Sequence, residues 1–187
     1  MTTTTTTKTG AISRIILTLI LCLIAANDAA IHGFAQEPLD GPKRIFRDDL
    51  LDTLVGKWVL TRKIRGQEVR NTLEAEWVLN HQFLQINMKD MATPPTYEAK
   101  VFIGYDNTSE RYVAHWIDVY GGRFSETLAY GRRDGDSILL NFEYPDGPFH
   151  NELTWNATAK GWTFMMQRKN ASGQWVPFAQ DSLRRAQ

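Results

Sequence analysis

The chain has 187 residues, 43% of them hydrophobic and 11% aromatic, with 21 basic and 21 acidic side chains and no formal net charge at neutral pH. That balance, with no long run of one sign, excludes the basic surface that neutralising a phosphate backbone requires, so nucleic acid is not an expected partner. The single cysteine, Cys22, excludes an intrachain disulfide and a Cys-based zinc centre.

Lys8 and Arg14 precede an apolar run, residues 15–26 (IILTLILCLIAA), that is short for a bilayer span but suits the core of an export signal. Residues 1–35 read as a signal peptide. The small-residue cleavage pattern falls at Gly33-Phe34-Ala35, with an earlier site offered by the Ala-rich stretch 25–30. Cleavage removes Cys22 and leaves an exported protein, periplasmic or extracellular, with no stable membrane insertion. Lipid anchoring at Cys22 is disfavoured by the bulky Leu19-Ile20-Leu21 before it.

Residues 36–45, with Pro38, Gly41 and Pro42, read as an extended leader to a barrel domain over 46–187. The one helix expected is 46–56, where Phe46, Leu50, Leu51 and Leu54 share a face that suits it to cap a barrel end, with Gly56 as its stop. Beyond it, short β-branched and aromatic segments alternate with turn residues. They predict ten strands at 57–65, 71–79, 82–90, 97–105, 111–120, 123–131, 137–144, 149–156, 161–169 and 174–184. Even spacing and short connections indicate an all-β fold, a ten-stranded antiparallel up-and-down barrel, with a sandwich as the structural alternative.

Gly56-Lys57-Trp58 matches the Gly-x-Trp opening of lipocalin-like (calycin) barrels. The stretch from Tyr97-Glu98 through Gly104-Tyr105-Asp106-Asn107 and Tyr112-Val113 to Trp116-Ile117-Asp118 resembles an uncharacterised exported bacterial domain family of that class. The resemblance implies a ten-stranded barrel with an internal cavity and no settled activity. More distantly the chain is similar to nitrobindin, which ligates haem through a histidine late in its barrel. The last two strands here contain no histidine, so that role does not transfer.

Strand alternation assigns the inner face. A hairpin through Pro145-Asp146-Gly147-Pro148 sets Tyr144 opposite Phe149 and turns Ile138, Leu140, Phe142, Tyr144, Phe149, Asn151, Leu153 and Trp155 inward. Pairing Trp155 with Trp162 continues the stripe to Phe164, Met166 and Arg168; on the early strands Trp58, Leu60, Arg62 and Ile64 are inner, followed by Leu73, Ala75, Trp77 and Leu79. A two-residue Gly121-Gly122 turn sets Trp116 opposite Thr127 and Asp118 opposite Ser125. With even flanking turns, Ala99, Val101, Ile103, Tyr105, Tyr112, Ala114, Trp116, Asp118, Ser125 and Thr127 face inward. This register leaves an apolar outer face to be covered by the 46–56 helix or by a second copy in a homodimer. A bulge at each flanking turn brings His115 and Glu126 inward instead.

Candidate binding residues follow from the inner stripe of a barrel wide enough to hold one small apolar or amphiphilic molecule. Trp58, Tyr105, Trp116, Phe142, Trp155 and Phe164 form the aromatic wall, and Asp118, Thr127 and Asn151 are polar anchors. Asp118 alternatively satisfies backbone donors at the turn. Arg62 and Arg168, if inward and unmatched, form a clamp for an anionic head; if they reach solvent at a barrel mouth, they do not. His115 and Glu126 are the only candidate catalytic pair, the acid and base of an isomerase or hydrolase, and are equally readable as a structural pair. His81, His115 and His150 lack metal-ligand spacing, and no motif calls for a metal or cofactor. A binding protein is favoured over an enzyme, and a solid-core interaction module is the third reading.

Overall fold

The computed structural model describes residues 45–187, so the expected signal peptide and all but the last residue of the leader lie outside the described residues. One helical turn, α1 (Asp49–Asp52), precedes β1 (Gly56–Ile64), β2 (Gln67–Val78), β3 (Phe83–Asp90), β4 (Glu98–Asp106) and β5 (Arg111–Asp118). After a second helical turn, α2 (Gly122–Ser125), come β6 (Leu128–Asp134), β7 (Ser137–Tyr144), β8 (Gly147–Asn156), β9 (Gly161–Lys169) and β10 (Trp175–Arg185). Each strand pairs antiparallel with its sequence neighbours, and β1 pairs with β10 from Trp58↔Arg185 to Ile64↔Ala179, closing a ten-stranded barrel.

The alternation predicted from sequence places the core. Leu60, Leu73, Leu84, Ile86, Ile103, Ala114, Ile138, Leu140, Leu153 and Phe164 are buried inside the barrel, while their neighbours at odd offsets face out. Trp155↔Trp162 pair as expected. The β7–β8 hairpin is tighter than expected, with Phe142↔Phe149 and Tyr144↔Gly147 as partners. Pro145 and Gly147 occupy the second and fourth positions of a turn that favours them there, and Gly147 has φ 119°. The shift is two residues, so every side chain keeps its expected face.

Three further expectations change. Leu79, expected on the inner face, lies just past the end of β2 with φ 51° and is exposed. The helix is four residues, not eleven: Asp48 caps it by accepting from Leu50 N and Leu51 N at 3.0 Å, and Thr53 Oγ1 bonds back to Leu50 O at 2.7 Å. The Gly121-Gly122 hairpin does not form. The β5–β6 ladder runs in the expected register from Tyr112↔Gly131 to His115↔Leu128 and stops there. Asp118 Oδ1 accepts from Tyr120 N at 3.0 Å, turning the chain early, and Gly121 (φ 79°) leads into α2 instead. Ser125 and Thr127 are therefore not strand residues.

The outer face of β5–β7 is not covered by α1. Ile117, Leu128, Tyr130 and Leu139 remain exposed there, with the Arg111 guanidinium 3.8 Å over the Tyr130 ring.

Candidate functional site

The barrel has two unlike ends. At the end where β1 begins, Leu50, Leu51 and Leu54 are buried and join the barrel core, each contributing roughly 2 kcal/mol of apolar burial. Phe46 packs against Trp77, Tyr105 and Tyr112, with ring centroids 5.4, 5.6 and 6.1 Å away. Trp58 donates its indole N–H to Leu54 O at 2.7 Å, and the Tyr112 hydroxyl donates to the buried Asp48 carboxylate. This end is plugged.

At the opposite end the lining side chains are only half-buried. The loop after β3 is gathered by Asp90, which accepts from Thr96 N at 2.8 Å, Thr96 Oγ1 at 2.6 Å and Tyr97 N at 2.8 Å. Those bonds, the Thr96 hydroxyl first, hold the Asp90 carboxyl below its usual range and fix Tyr97 at the mouth. The Tyr97 hydroxyl receives the Trp116 indole N–H at 3.2 Å and donates to Asp118 Oδ2 at 3.3 Å. Burial pushes the Tyr97 phenol up to about 12, with nearby Arg62 opposing the rise and Asp118 adding to it. Tyr144 is raised as well, first by burial and then by the charge of Asp118. It stacks on Phe142 at 5.1 Å and meets Phe149 at 5.8 Å and Phe124 of α2 at 6.0 Å.

Below this ring lies Arg62, 5.5 Å from the Tyr97 ring centroid. Its Nε and Nη2 donate to the two oxygens of Asp181 at 2.8 and 2.7 Å. Arg62 is 8% exposed and Asp181 0%, and among the described residues Arg62 is the one buried cation. Burial works against its charge, but Asp181 more than offsets this and raises its pKa.

The sequence-predicted residues thus divide. Arg62, Trp116, Asp118 and Phe142 gather at the open end or just beneath it. Trp58, Tyr105 and Trp155 belong to the plugged end, where Trp155 contacts Trp58 and Trp162 at 6.5 and 5.7 Å. Phe164 is buried beside Asp181 on the neighbouring strand. Asn151 is buried and inward, and its Oδ1 has no hydrogen-bond partner, a condition shared by inward-facing Asn71 Oδ1. Arg168 is exposed at the rim opposite Phe149, and Thr127 is half-buried in the segment between α2 and β6. His115 lies on the outer face, its Nε2 bonded to the Ser125 carbonyl; Glu126 is exposed, and no hydrogen bond between the two occurs among the described residues.

Tyr97, Tyr144 and Asp181 complete the cluster; none was among the candidate binding residues, although alternation turned Tyr144 inward. Asp181 did carry a signal: it sits between Ala179 and Leu183 at spacings of two, so alternation turns a carboxylate inward. A bulge between Pro177 and Ala179 frees Phe178 to contact Phe149 at 5.3 Å, which alternation alone does not reveal.

Elsewhere, an open groove of about 630 Å³ crosses the outside of β1–β5, walled in part by Lys57, Glu74, Lys89, Glu98 and Ile117. Its charges pair with one another, Lys57 with Glu74 at 3.7 Å and Lys89 with Glu98. Among the described residues no group of three or more His, Cys, Asp or Glu could hold a metal ion, and no helix is long and apolar enough to cross a membrane.

No curated protein matches the sequence. Among solved structures the chain is similar to the crystal structure of Rv2717c from M. tuberculosis, with a TM-score of 0.52 and 13% identity over 73% of this chain and 95% of that one. That likeness is one of fold. The family model described as "Protein of unknown function (DUF1579)" matches residues 47–185, nearly the whole of the barrel. The chain belongs to the DUF1579 family.

Proposed function

We propose that this protein is an exported, lipocalin-like carrier that takes up a small apolar or amphiphilic molecule through the barrel end opposite α1. The observation that carries this reading is the contrast between the ends. One is sealed by Leu50, Leu51, Leu54 and Phe46, while the other presents half-buried Tyr97, Trp116, Tyr144 and Phe149 around the Asp118 carboxylate. Aromatic side chains gathered around a few fixed polar groups are the usual make-up of a small-molecule site. The unpartnered Oδ1 atoms of Asn71 and Asn151 support it further, because buried polar atoms are normally bonded to something. Arg62 is matched by Asp181, so the reading no longer calls for an anionic head.

The test is a fluorescence titration with a neutral apolar probe, N-phenyl-1-naphthylamine, on the processed protein. Saturable enhancement that drops at least about tenfold in affinity in Trp116→Ala is the expected result. Absence of saturable binding in the folded protein overturns the carrier reading and favours a solid-core interaction module.

A further inference from the structure

Resting on the carrier reading, the polar inventory of the open end narrows the class of ligand. We infer that this site selects an organic cation, an amine or quaternary ammonium carrying an apolar group, and discriminates against carboxylates of the same shape.

Three charged side chains belong to the cluster beneath the aromatic rings: Arg62, Asp181 and Asp118. The charge of Arg62 is balanced by Asp181, which accepts from its Nε and Nη2. Among the described residues Asp118 forms no salt bridge, and Arg62, Asp181 and Asp118 together carry one uncompensated negative charge. An ionised carboxylate has about four acceptor sites. Tyr120 N and the Tyr97 hydroxyl use two of them on Asp118, so acceptor capacity remains for a ligand.

Lower in the barrel two unpartnered polar atoms among the described residues, Asn71 Oδ1 and Asn151 Oδ1, are acceptors, and a third, Trp162 Nε1, is a donor. Around Asp118 the aromatic rings add a second attraction of the same sign. Tyr97 and Trp116 are tied together by the indole–hydroxyl bond, and Tyr144 is held edge-on to Phe149 and Phe124. Aromatic faces beside a carboxylate attract a cation through their quadrupoles. A carboxylate entering the mouth meets the charge of Asp118, while that of Arg62 is already balanced by Asp181. Rim residues do not reverse this: Arg168 is in solvent, where its charge is screened, and Arg123 is paired with Asp146 at 2.7 Å.

The experiment is calorimetric titration of the processed protein at low salt with three probes of one tail length, decyltrimethylammonium and decanoate below their micelle-forming concentrations and decanol below its solubility limit. The ammonium is expected to bind roughly tenfold or more tighter than decanoate, and the difference is expected to shrink as salt is added. Asp118→Asn lowers ammonium affinity by about tenfold and leaves decanol within about twofold. Tyr144→Leu, which leaves the Asp118 turn untouched, lowers the ammonium-to-decanol ratio several-fold should Asp118→Asn fail to fold. Decanoate binding as tightly as the ammonium overturns the cation inference while the carrier reading stands. If none of the three binds the folded protein, both fail.

Discussion

Arg62 and Asp181 face each other directly across the seam where the first and last strands close the barrel, joined by two hydrogen bonds of 2.8 and 2.7 Å. The fork geometry matches guanidinium to carboxylate, and neither group reaches appreciable solvent. A buried pair of this kind contributes little over an apolar pair of the same volume, yet breaking it strands a charge. Asp181→Asn is therefore expected to cost about 3–5 kcal/mol in urea unfolding. Arg62→Met combined with Asp181→Leu is expected to cost far less. A single Asp181→Asn loss below about 1 kcal/mol would show that the pair is not dry.

Asp48 links the plug to the wall. One oxygen caps α1 through Leu50 N and Leu51 N, and the other accepts from the Tyr112 hydroxyl on β5. Asp48→Ala removes a cap, worth about 1 kcal/mol, together with a charge-assisted bond worth about 1.5–3. A loss of about 2–4 kcal/mol on chemical denaturation is expected, with Asp48→Asn recovering the cap and costing less. Equal losses in the two variants would mean that capping contributes nothing.

Tyr97 makes the open end sensitive to alkali. Its phenol is raised from the ordinary 10.0 to about 12, so in the unfolded chain it ionises first. Between those values the native state binds more protons than the unfolded state, and stability falls as pH rises. The contribution is fully present below pH 10 and lost as pH passes through about 12. Ultraviolet difference titration of the protein against Tyr97→Phe is expected to show one phenol ionising near 12, moving downward in Asp118→Asn, because the Asp118 charge is one cause of the rise. A Tyr97 transition near 10 in the folded protein would contradict this environment.

Much of the barrel is written in period-two alternation. The inner faces of β1, β4, β5 and β7–β9 follow from residues such as Leu60, Val101, Leu140 and Phe164, because a strand shift of two residues, as at Tyr144↔Gly147, preserves the face. What alternation does not encode is where a strand ends. Gly121-Gly122 has strong hairpin chemistry, but Asp118 captures Tyr120 N first and Phe124 packs on Tyr144, so the chain leaves the ladder early. The candidate site was legible where a polar residue interrupts an apolar stripe, as Arg62, Asp118 and Asp181 do. It was illegible where a loop supplies the residue, as the Asp90-organised turn supplies Tyr97. Strand arithmetic also does not tell one barrel end from the other, so Trp58, Tyr105 and Trp155 were grouped with Trp116 although they serve the plug.

The six tryptophans provide the most direct test, because they report from different places: Trp58, Trp77, Trp155 and Trp162 near the plugged end, Trp175 stacked on His150 at 3.5 Å, and Trp116 at the mouth. The measurement is an indole N–H correlation spectrum of the processed, tryptophan-labelled protein, recorded while an apolar probe is titrated to saturation. The carrier account predicts that the Trp116 resonance moves with the binding curve while those of Trp58, Trp155 and Trp162 stay in place. Movement confined to the plugged-end indoles, or no movement of any indole at saturating probe, would contradict it.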